Sequence, residues 1–300
     1  MSKEKVVSIY DNSSKIIKIG ENLTHKYQKI HLNGLIGSSV SFVINSLFKK
    51  VETSFLLILN DKEEAAYYLN DLEQMIGQDD VLFYPSSYRR PYQIEETDNA
   101  NVLLRAEVLN RINSRKKPAI IVTYPDAIFE KVVTKKELDK NTLKVTVGDK
   151  ISIDFINEVL FEYEFKRVDF ISEPGEFSVR GGIIDVFSFS NDNPYRIEFF
   201  GNEVDSIRTF DVETQLSLEK QKKIAIIPNV ENKIFQENRE SFLDYINEKT
   251  ILFIQNTDFT LSKLETLFTK SEEIFEGLSK TINQAEPSKL FLNPKEFSRK

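Results

Sequence analysis

The sequence predicts an α/β protein in which a mostly parallel sheet is interrupted by a smaller, largely antiparallel α+β unit. In the first 141 residues, apolar runs alternate with amphipathic segments of helical period. Short strand-like runs then follow one another between turn residues, which is typical of an antiparallel unit. The first pattern returns after residue 228. The predicted domains are therefore 1–141, 142–228 and 229–300, with the middle domain inserted into one α/β lobe.

Apolar runs and helical periods define the elements of the first lobe. A continuous apolar run such as SFLLIL suits a parallel strand that is buried on both faces. We expect Asn60 or Asp61 to cap the helix that follows this run. The predicted strands are Lys29–Leu35, Ser54–Leu59, Asp80–Tyr84 and Ala119–Thr123, and the predicted helices are Ser38–Lys50, Asp61–Ile76 and Asn99–Ile112.

The middle domain has a different pattern, in which period-two runs are separated by turn residues. Gly201-Asn202 lies between two such runs and predicts a two-residue hairpin. Its predicted elements are the alternating run Leu143–Val147, the helix Asp154–Tyr163 and the strands Arg167–Ile171, Glu176–Arg180, Ile183–Phe189, Tyr195–Phe200 and Glu203–Phe210. After it, we expect a helix at Phe235–Lys249, a strand at Thr250–Ile254 and a helix at Thr260–Phe268.

Composition excludes several classes of chemistry. The 300 residues carry a formal charge of −7, contain no cysteine and contain two histidines, His25 and His31. Disulfides, thiolate catalysis and cysteine zinc sites are therefore excluded, and a histidine-rich metal site is disfavoured. No signal peptide or membrane-length apolar run is present, so we expect a soluble, cytoplasmic protein.

A strand-to-helix turn is predicted where a phosphate-binding loop would lie, but it lacks the residues that bind phosphate. When residues 34–41 are aligned with the phosphate-loop pattern G-x-x-x-x-G-K-[ST], Gly34 and Ser41 match it. Ser39 stands in place of the second glycine and Val40 in place of the lysine. The lysine supplies the charge that holds the β- and γ-phosphates, and valine offers neither charge nor a donor. We therefore expect no nucleotide hydrolysis at this loop.

The polar face of the predicted strand Tyr195–Phe200 has the composition of a protein-binding surface. A period of two places Arg196 and Phe200 on one face with Glu198, and the hairpin brings acidic residues of the next strand beside them. Arg180 could join this surface. The alternative is that a loop covers Phe200 and that the arginines pair with Glu198 or Asp205.

Several spaced segments carry a resemblance to a known family. The chain resembles the amino-terminal region of bacterial transcription-repair coupling factor (Mfd) in three segments, GEFSVRGGIIDVF, PYRIEFFGNEVDSIRTFD and IAIIPN, with further support from GLIGSSVS. That region of the family is itself similar to the first part of the excinuclease protein UvrB. The resemblance implies a degenerate helicase-like (RecA/Rossmann-like) lobe interrupted by a domain that docks the excinuclease protein UvrA. The family's docking arginines and aromatic residue fall on Arg180, Arg196 and Phe200.

The resemblance implies a non-catalytic adaptor that recruits the damage-recognition ATPase UvrA to stalled RNA polymerase in nucleotide excision repair. The full-length family protein is an ATP-dependent DNA translocase. ATP, magnesium, RNA polymerase and DNA are therefore expected to bind its other parts, and this fragment is expected to be a monomer without a cofactor.

Two other functions stay open from the sequence. One is a UvrB-like, ATP-dependent DNA-repair protein, although UvrB has an intact phosphate loop. The other is direct binding of nucleic acid by a basic cluster, which is more often a solvated helix end. That cluster comprises Arg111, Arg115, Lys116 and Lys117.

Overall fold

The computed structural model describes residues 3–23, 25, 28–87, 92, 99–114, 117–189, 191–231, 238–277 and 285–299. The helices are α1 (Lys3–Asp11), α2 (Ser14–Leu23), α3 (Ser39–Phe48), α4 (Lys62–Ile76), α5 (Asn99–Ser114), α6 (Pro125–Phe129), α7 (Lys135–Lys140), α8 (Ile153–Glu162), α9 (Phe242–Tyr245), α10 (Thr257–Gly277), α11 (Pro287–Leu290) and α12 (Pro294–Phe297). The strands are β1 (Phe55–Ile58), β2 (Val81–Phe83), β3 (Ile120–Thr123), β4 (Val132–Val133), β5 (Leu143–Thr146), β6 (Lys166–Arg167), β7 (Glu176–Arg180), β8 (Ile183–Val186), β9 (Tyr195–Phe200), β10 (Glu203–Phe210), β11 (Ser217–Gln221), β12 (Lys223–Ile226), β13 (Arg239–Glu240) and β14 (Ile251–Ile254). Within these ranges, no helix is long and apolar enough to cross a membrane.

A four-stranded parallel sheet of order β14-β1-β3-β2 forms the centre of the lobe. Strands β1 and β3 are buried along their whole length, as expected for central strands covered on both faces. Although β14 follows the antiparallel unit in the chain, it pairs with β1, so that Ile251 lies opposite Phe55. The predicted fold class, a parallel α/β lobe with an inserted antiparallel unit, is confirmed.

The two helices that flank β1 in the chain lie where the sequence predicts them. The carboxylate of Asp61 caps α4 by accepting a hydrogen bond from the backbone N–H of Glu64 at 2.8 Å. One stripe of α4, including Ala65 and Leu72, is buried, and α3 buries Leu47 in the same core. The helical period therefore identified the buried faces correctly.

The predicted strand Lys29–Leu35 is wrong, because this segment adopts no regular structure. Helices α1 and α2, which were not predicted, pack on α3. Leu32 and Leu35 line a cavity beside Ile16 of α2 and Val43 of α3. The apolar side chains of the segment thus pack against helices, and no strand of the described ranges pairs with it.

The predicted helix Phe235–Lys249 is also wrong over the part that is described, and residues 235–237 lie outside the described residues. In its place, β13 pairs with β4 and the short helix α9 follows. Ser241 interrupts a longer helix because its hydroxyl caps α9 by accepting from the N–H of Leu243 at 3.2 Å. The ion pair of Arg239 with Glu231 stabilises β13 in its extended conformation before α9 begins.

The middle domain is a six-stranded sheet of order β11-β10-β9-β8-β7-β6. Successive strands from β7 to β11 pair antiparallel, whereas β6 pairs parallel with β7. Helix α8 packs on the apolar face of the sheet, where Phe161 contacts the buried Phe177 edge to face with centroids 5.2 Å apart. The other face carries polar side chains and is described below as the docking face.

The predicted strand Arg167–Ile171 is wrong beyond Arg167, since β6 ends at that residue. The chain then turns onto the polar side of the sheet, where Ile171 is buried with Phe187 and Phe210 in a small second apolar cluster. The predicted strand Ile183–Phe189 is too long, since β8 ends at Val186.

A buried ion cluster joins the two segments of the lobe, before and after the middle domain, and consists of Arg105, Glu130, Glu231 and Arg239. Arg105 on α5 pairs through Nε with Glu231 at 3.1 Å and through Nη2 with Glu130 at 3.2 Å. Arg239 of β13 pairs with the second oxygen of Glu231 at 2.8 Å. The four side chains are at most 4% exposed. Because Glu231 ends the chain segment that returns from the middle domain, the cluster fixes that return to the lobe.

The carboxylate of Glu130 has further donors in the lobe. The backbone N–H of Ser87 lies 2.9 Å and 3.0 Å from its two oxygens, and the Ser87 hydroxyl donates at 2.6 Å. Burial raises the pKa of Glu130, while Arg105 and Ser87 oppose this rise. Each buried glutamate of the cluster thus lies beside a buried guanidinium, which compensates the burial of its charge.

Candidate protein-docking surface

Strand β9 separates an apolar face from a polar face, as its period of two predicts. Ile197 is fully buried in the main core, whereas Phe200 is 84% exposed. Arg196, Glu198 and Phe200 share the polar side, because successive side chains of a strand alternate between faces. No loop covers Phe200 among the described residues, so its ring is exposed to solvent at the carboxyl end of β9. We call the polar side of this sheet, with Arg180, Asp185, Arg196, Glu198 and Phe200, the docking face.

The hairpin that carries Phe200 has the predicted form. Gly201 and Asn202 connect β9 to β10, and Phe200 pairs directly with Glu203. Gly201 has φ of +64°, a backbone conformation that glycine adopts without steric cost. Phe200 is therefore presented by a tight turn between two paired strands.

The glycine pair Gly181-Gly182 has a structural role in the same face. It forms the turn between β7 and β8, where Arg180 pairs with Ile183. Gly181 has φ of +58°, and a Cβ added at Gly182 would lie 3.2 Å from the carbonyl oxygen of Phe199. The R-G-G segment thus places Arg180 at the end of β7 through a turn and a close backbone approach.

One buried carboxylate, which is not among the predicted site residues, organises both predicted arginines. Asp185 on β8 is 1% exposed and lies directly opposite Arg196. Arg196 binds it through two hydrogen bonds, from Nε at 2.6 Å and from Nη2 at 2.8 Å. Arg180 also donates to Asp185, from its own Nη2. The alternative pairing with Glu198 or Asp205 is therefore wrong, and we call Arg180, Asp185 and Arg196 the arginine cluster.

The side chains of Arg196 and Arg180 differ in how far they are exposed to solvent and therefore to a partner. The Arg196 side chain is 13% exposed, and its guanidinium lies 4.1 Å from the ring centroid of Phe210. It also donates to Gln215 at 3.1 Å, and its hydrogen bond with Asp185 raises its pKa. The Arg180 side chain is 42% exposed. Arg180 and Phe200 are thus the accessible members of the predicted site, and Arg196 lies mostly beneath the surface.

A second ion pair lies beside the arginine cluster on the docking face. Glu198 accepts from Arg208 at 2.7 Å and from the Ser206 hydroxyl at 2.5 Å. These hydrogen bonds, the one from Arg208 first, lower the pKa of Glu198 to about 2. A β-bulge between Val204 and Ser206 places Ser206 opposite Glu198.

The segment that resembles a phosphate loop has a different environment. The described residues directly before it, 28–33, form no strand, and Val40 packs partly buried against the main core. The Ser39 hydroxyl is engaged by the backbone of Ile36: it donates to the carbonyl oxygen at 2.7 Å and accepts from the N–H at 2.8 Å. Ser41, at the position of the magnesium-binding residue of a phosphate loop, is buried and donates to Asp71 at 3.1 Å. The Ser41 hydroxyl is therefore already engaged within the fold.

Two residues of the basic cluster, Arg111 and Lys117, have acidic partners in the described structure. Arg111 pairs with Glu107 on its own helix, and Lys117 pairs with Asp80 at 2.5 Å. The other two members, residues 115 and 116, lie outside the described residues. Over the described ranges, no group of three or more histidine, aspartate or glutamate side chains is arranged to hold a metal ion.

Comparison with known proteins agrees with this architecture. The UvrB interaction domain family matches residues 143–231, which include the docking face. The transcription-repair-coupling factor of Bacillus subtilis (strain 168) is 31% identical over 245 residues, which cover 79% of this chain and 21% of that protein. The protein of the same name from Staphylococcus haemolyticus is 33% identical over 201 residues, covering 67% of this chain and 17% of that protein.

The chain is thus an α/β lobe that carries a UvrB interaction domain. A further relative, the transcription-repair-coupling factor of Haemophilus influenzae, is 26% identical over 66% of this chain. The chain belongs to the transcription-repair-coupling factor family and corresponds to the amino-terminal region of its members. It spans about a fifth of the length of the relatives that it matches.

Proposed function

We propose that this chain is a non-catalytic adaptor that binds UvrA and recruits it to stalled RNA polymerase. The observation that carries the proposal is Phe200, which is 84% exposed on the same face of the sheet as the partly exposed guanidinium of Arg180. An exposed aromatic residue beside arginine is the composition of a protein-binding hot spot. The match of residues 143–231 to the UvrB interaction domain family supports the same partner class.

The adaptor proposal assigns distinct roles to the predicted site residues. Phe200 is the anchor that UvrA buries, and Arg180 is the cation that pairs with a partner carboxylate. Arg196 is mainly a positioning residue, since its side chain is 13% exposed and it holds Asp185 through two hydrogen bonds. RNA polymerase and DNA are proposed to bind other parts of a full-length family protein, in the bacterial cytoplasm.

The proposal also holds that no nucleotide is bound at the degenerate phosphate loop. It is supported by Val40 in place of the lysine and by the hydrogen bond from Ser41 to Asp71. Titration of a fluorescent ATP analogue with magnesium into the chain should give no saturable signal. Saturable binding, abolished by Ser41→Ala, would instead favour a UvrB-like function.

Calorimetric titration of UvrA into the chain tests the adaptor function. The wild-type chain should bind, and the double variant Arg196→Ala/Phe200→Ala should lose about 2 kcal/mol or more of binding free energy, which is about 30-fold in Kd. Phe155→Ala is the matched control, because Phe155 is 47% exposed on α8, on the opposite side of the same sheet. Unimpaired binding by the folded double variant would remove the proposed site.

A further inference from the structure

An exposed phenylalanine that is not among the predicted site residues lies beside Arg180. Phe170 is 68% exposed, and the guanidinium carbon of Arg180 lies 5.2 Å from its ring centroid. The backbone on both sides is held in place, since the carbonyl of Asp169 accepts from the Ser178 hydroxyl at 3.0 Å and the next residue, Ile171, is buried. A ring that projects from fixed backbone loses little conformational freedom when a partner covers it.

The arginine cluster carries one positive charge more than it can neutralise internally. Asp185 is the carboxylate that binds both Arg180 and Arg196, so two cations share one anion. Arg196 takes both oxygens of Asp185, whereas Arg180 contacts one of them. With 42% of its side chain exposed, Arg180 has N–H donors available to a second carboxylate.

We propose that Phe170 and Arg180 form a second contact point of the docking face, in which UvrA buries the ring of Phe170 in an apolar depression and pairs a carboxylate with Arg180. This inference rests on the proposed binding of UvrA. Arg180 on β7 and Phe200 on β9 are two strands apart, which is about 10 Å across the sheet. Both contact points therefore fit within one interface of standard size, about 800 Å² per partner.

The two residues should act as a coupled pair. Arg180 lies over the ring of Phe170, and its guanidinium also binds Asp185. Covering the ring excludes water from the cation–π contact and strengthens it. Removal of Phe170 therefore loses apolar contact with UvrA and also releases one support of Arg180, so the effects of the two residues are not independent.

Calorimetric titration of UvrA into the full 300-residue chain tests this second contact point. Phe170→Ala should weaken binding about tenfold, and Phe155→Ala, an exposed phenylalanine on the other side of the sheet, should change Kd by less than about twofold. Phe170→Leu should give an intermediate Kd, because it retains apolar contact without the aromatic face. The Phe170→Ala/Arg180→Ala double variant should weaken binding by less than the product of the two single effects.

Urea unfolding of each variant separates lost contact from lost structure. Because Phe170 is 68% exposed, Phe170→Ala should leave the unfolding midpoint within experimental error of the wild type. If the urea midpoint of Phe170→Ala is nevertheless lowered, the UvrA affinity of Phe170→Leu is compared with that of the wild type instead. We expect Phe170→Leu to bind UvrA more weakly than the wild type does.

Three outcomes would overturn the inference. Wild-type affinity of folded Phe170→Ala, together with weakened binding by Phe200→Ala, would remove the second contact point and leave the proposed function intact. Fully multiplicative effects of Phe170→Ala and Arg180→Ala would remove the coupling between them. Absence of UvrA binding by the wild-type chain would overturn both this inference and the proposed function.

Discussion

Two clusters of charged side chains in this chain differ in their exposure to solvent. The buried ion cluster joins two arginines to two glutamates with side chains at most 4% exposed. The arginine cluster joins two guanidiniums to one carboxylate, and the Arg180 side chain is 42% exposed. A cluster that is closed to solvent is not accessible to a partner, whereas one with a partly exposed guanidinium can pair with a partner's carboxylate. We infer that the first cluster serves the fold and the second serves binding.

The largest expected effect is on stability, from removal of one arginine of the buried ion cluster. Arg105→Ala leaves Glu130 and Glu231 buried with less compensation, and it should cost about 3–5 kcal/mol in the free energy of unfolding. Urea unfolding followed by circular dichroism measures this. Lys49→Ala is the control, since Lys49 forms a surface pair with Asp11 at 3.5 Å and should cost at most about 1 kcal/mol. Equal costs for the two variants would contradict a structural role for the buried cluster.

A smaller loss of stability, together with a loss of binding, is expected from the docking face. Asp185→Asn keeps the shape of the side chain but removes the charge that Arg180 and Arg196 share. It should cost about 2 kcal/mol of unfolding free energy, because hydrogen bonds to a charged group are lost, and it should also weaken UvrA binding. Asp205→Asn, a change at an exposed acid of the same sheet, is the control. If Asp185→Asn lowers the free energy of unfolding without changing the affinity for UvrA, the arginine cluster has no role in binding.

The smallest expected effect is a pH dependence contributed by Glu198. Its pKa is lowered to about 2 in the folded state, mainly by the hydrogen bond from Arg208, against an ordinary value of 4.5. A lowered carboxyl pKa contributes stability above the unfolded-state value, and this contribution is lost as the pH falls from about 4.5 toward about 2.

The difference in unfolding free energy between wild type and Glu198→Gln should therefore be constant near neutral pH and shrink under acid. Urea unfolding at a series of pH values between about 6 and about 3 measures the difference. A difference that grows on acidification would show that the carboxylate is not stabilised by Arg208.

The sequence predicted those features of the docking face that follow from strand period and turn chemistry. Alternation along β9 places the side chain of Phe200 on the face of the sheet opposite to that of the buried Ile197. Gly201 adopts the positive φ that the hairpin turn requires. The sequence did not reveal which acid binds Arg196, because that depends on the register between β8 and β9. A signal was present nonetheless, since Asp185 is the one charged residue within the apolar run IIDVFSF.

Errors in the lobe have a common physical cause, namely packing that local patterns do not encode. Leu32 and Leu35 have strand-like neighbours in sequence, but they pack against α2 and α3 instead of pairing with a strand. Arg239 lies in a segment of helical pattern, but its pairing with Glu231 fixes it in β13. Phe170 was overlooked because its exposure depends on where β6 ends.

The most direct test of the central claim is the affinity of UvrA for Phe200→Ala compared with Phe155→Ala, measured by calorimetry on folded protein. Phe200 is 84% exposed and Phe155 is 47% exposed, so neither truncation should alter the fold. We predict that Phe200→Ala raises Kd by about 30-fold and that Phe155→Ala leaves it within about twofold. Equal affinities of the two variants for UvrA would contradict the assignment of the docking face.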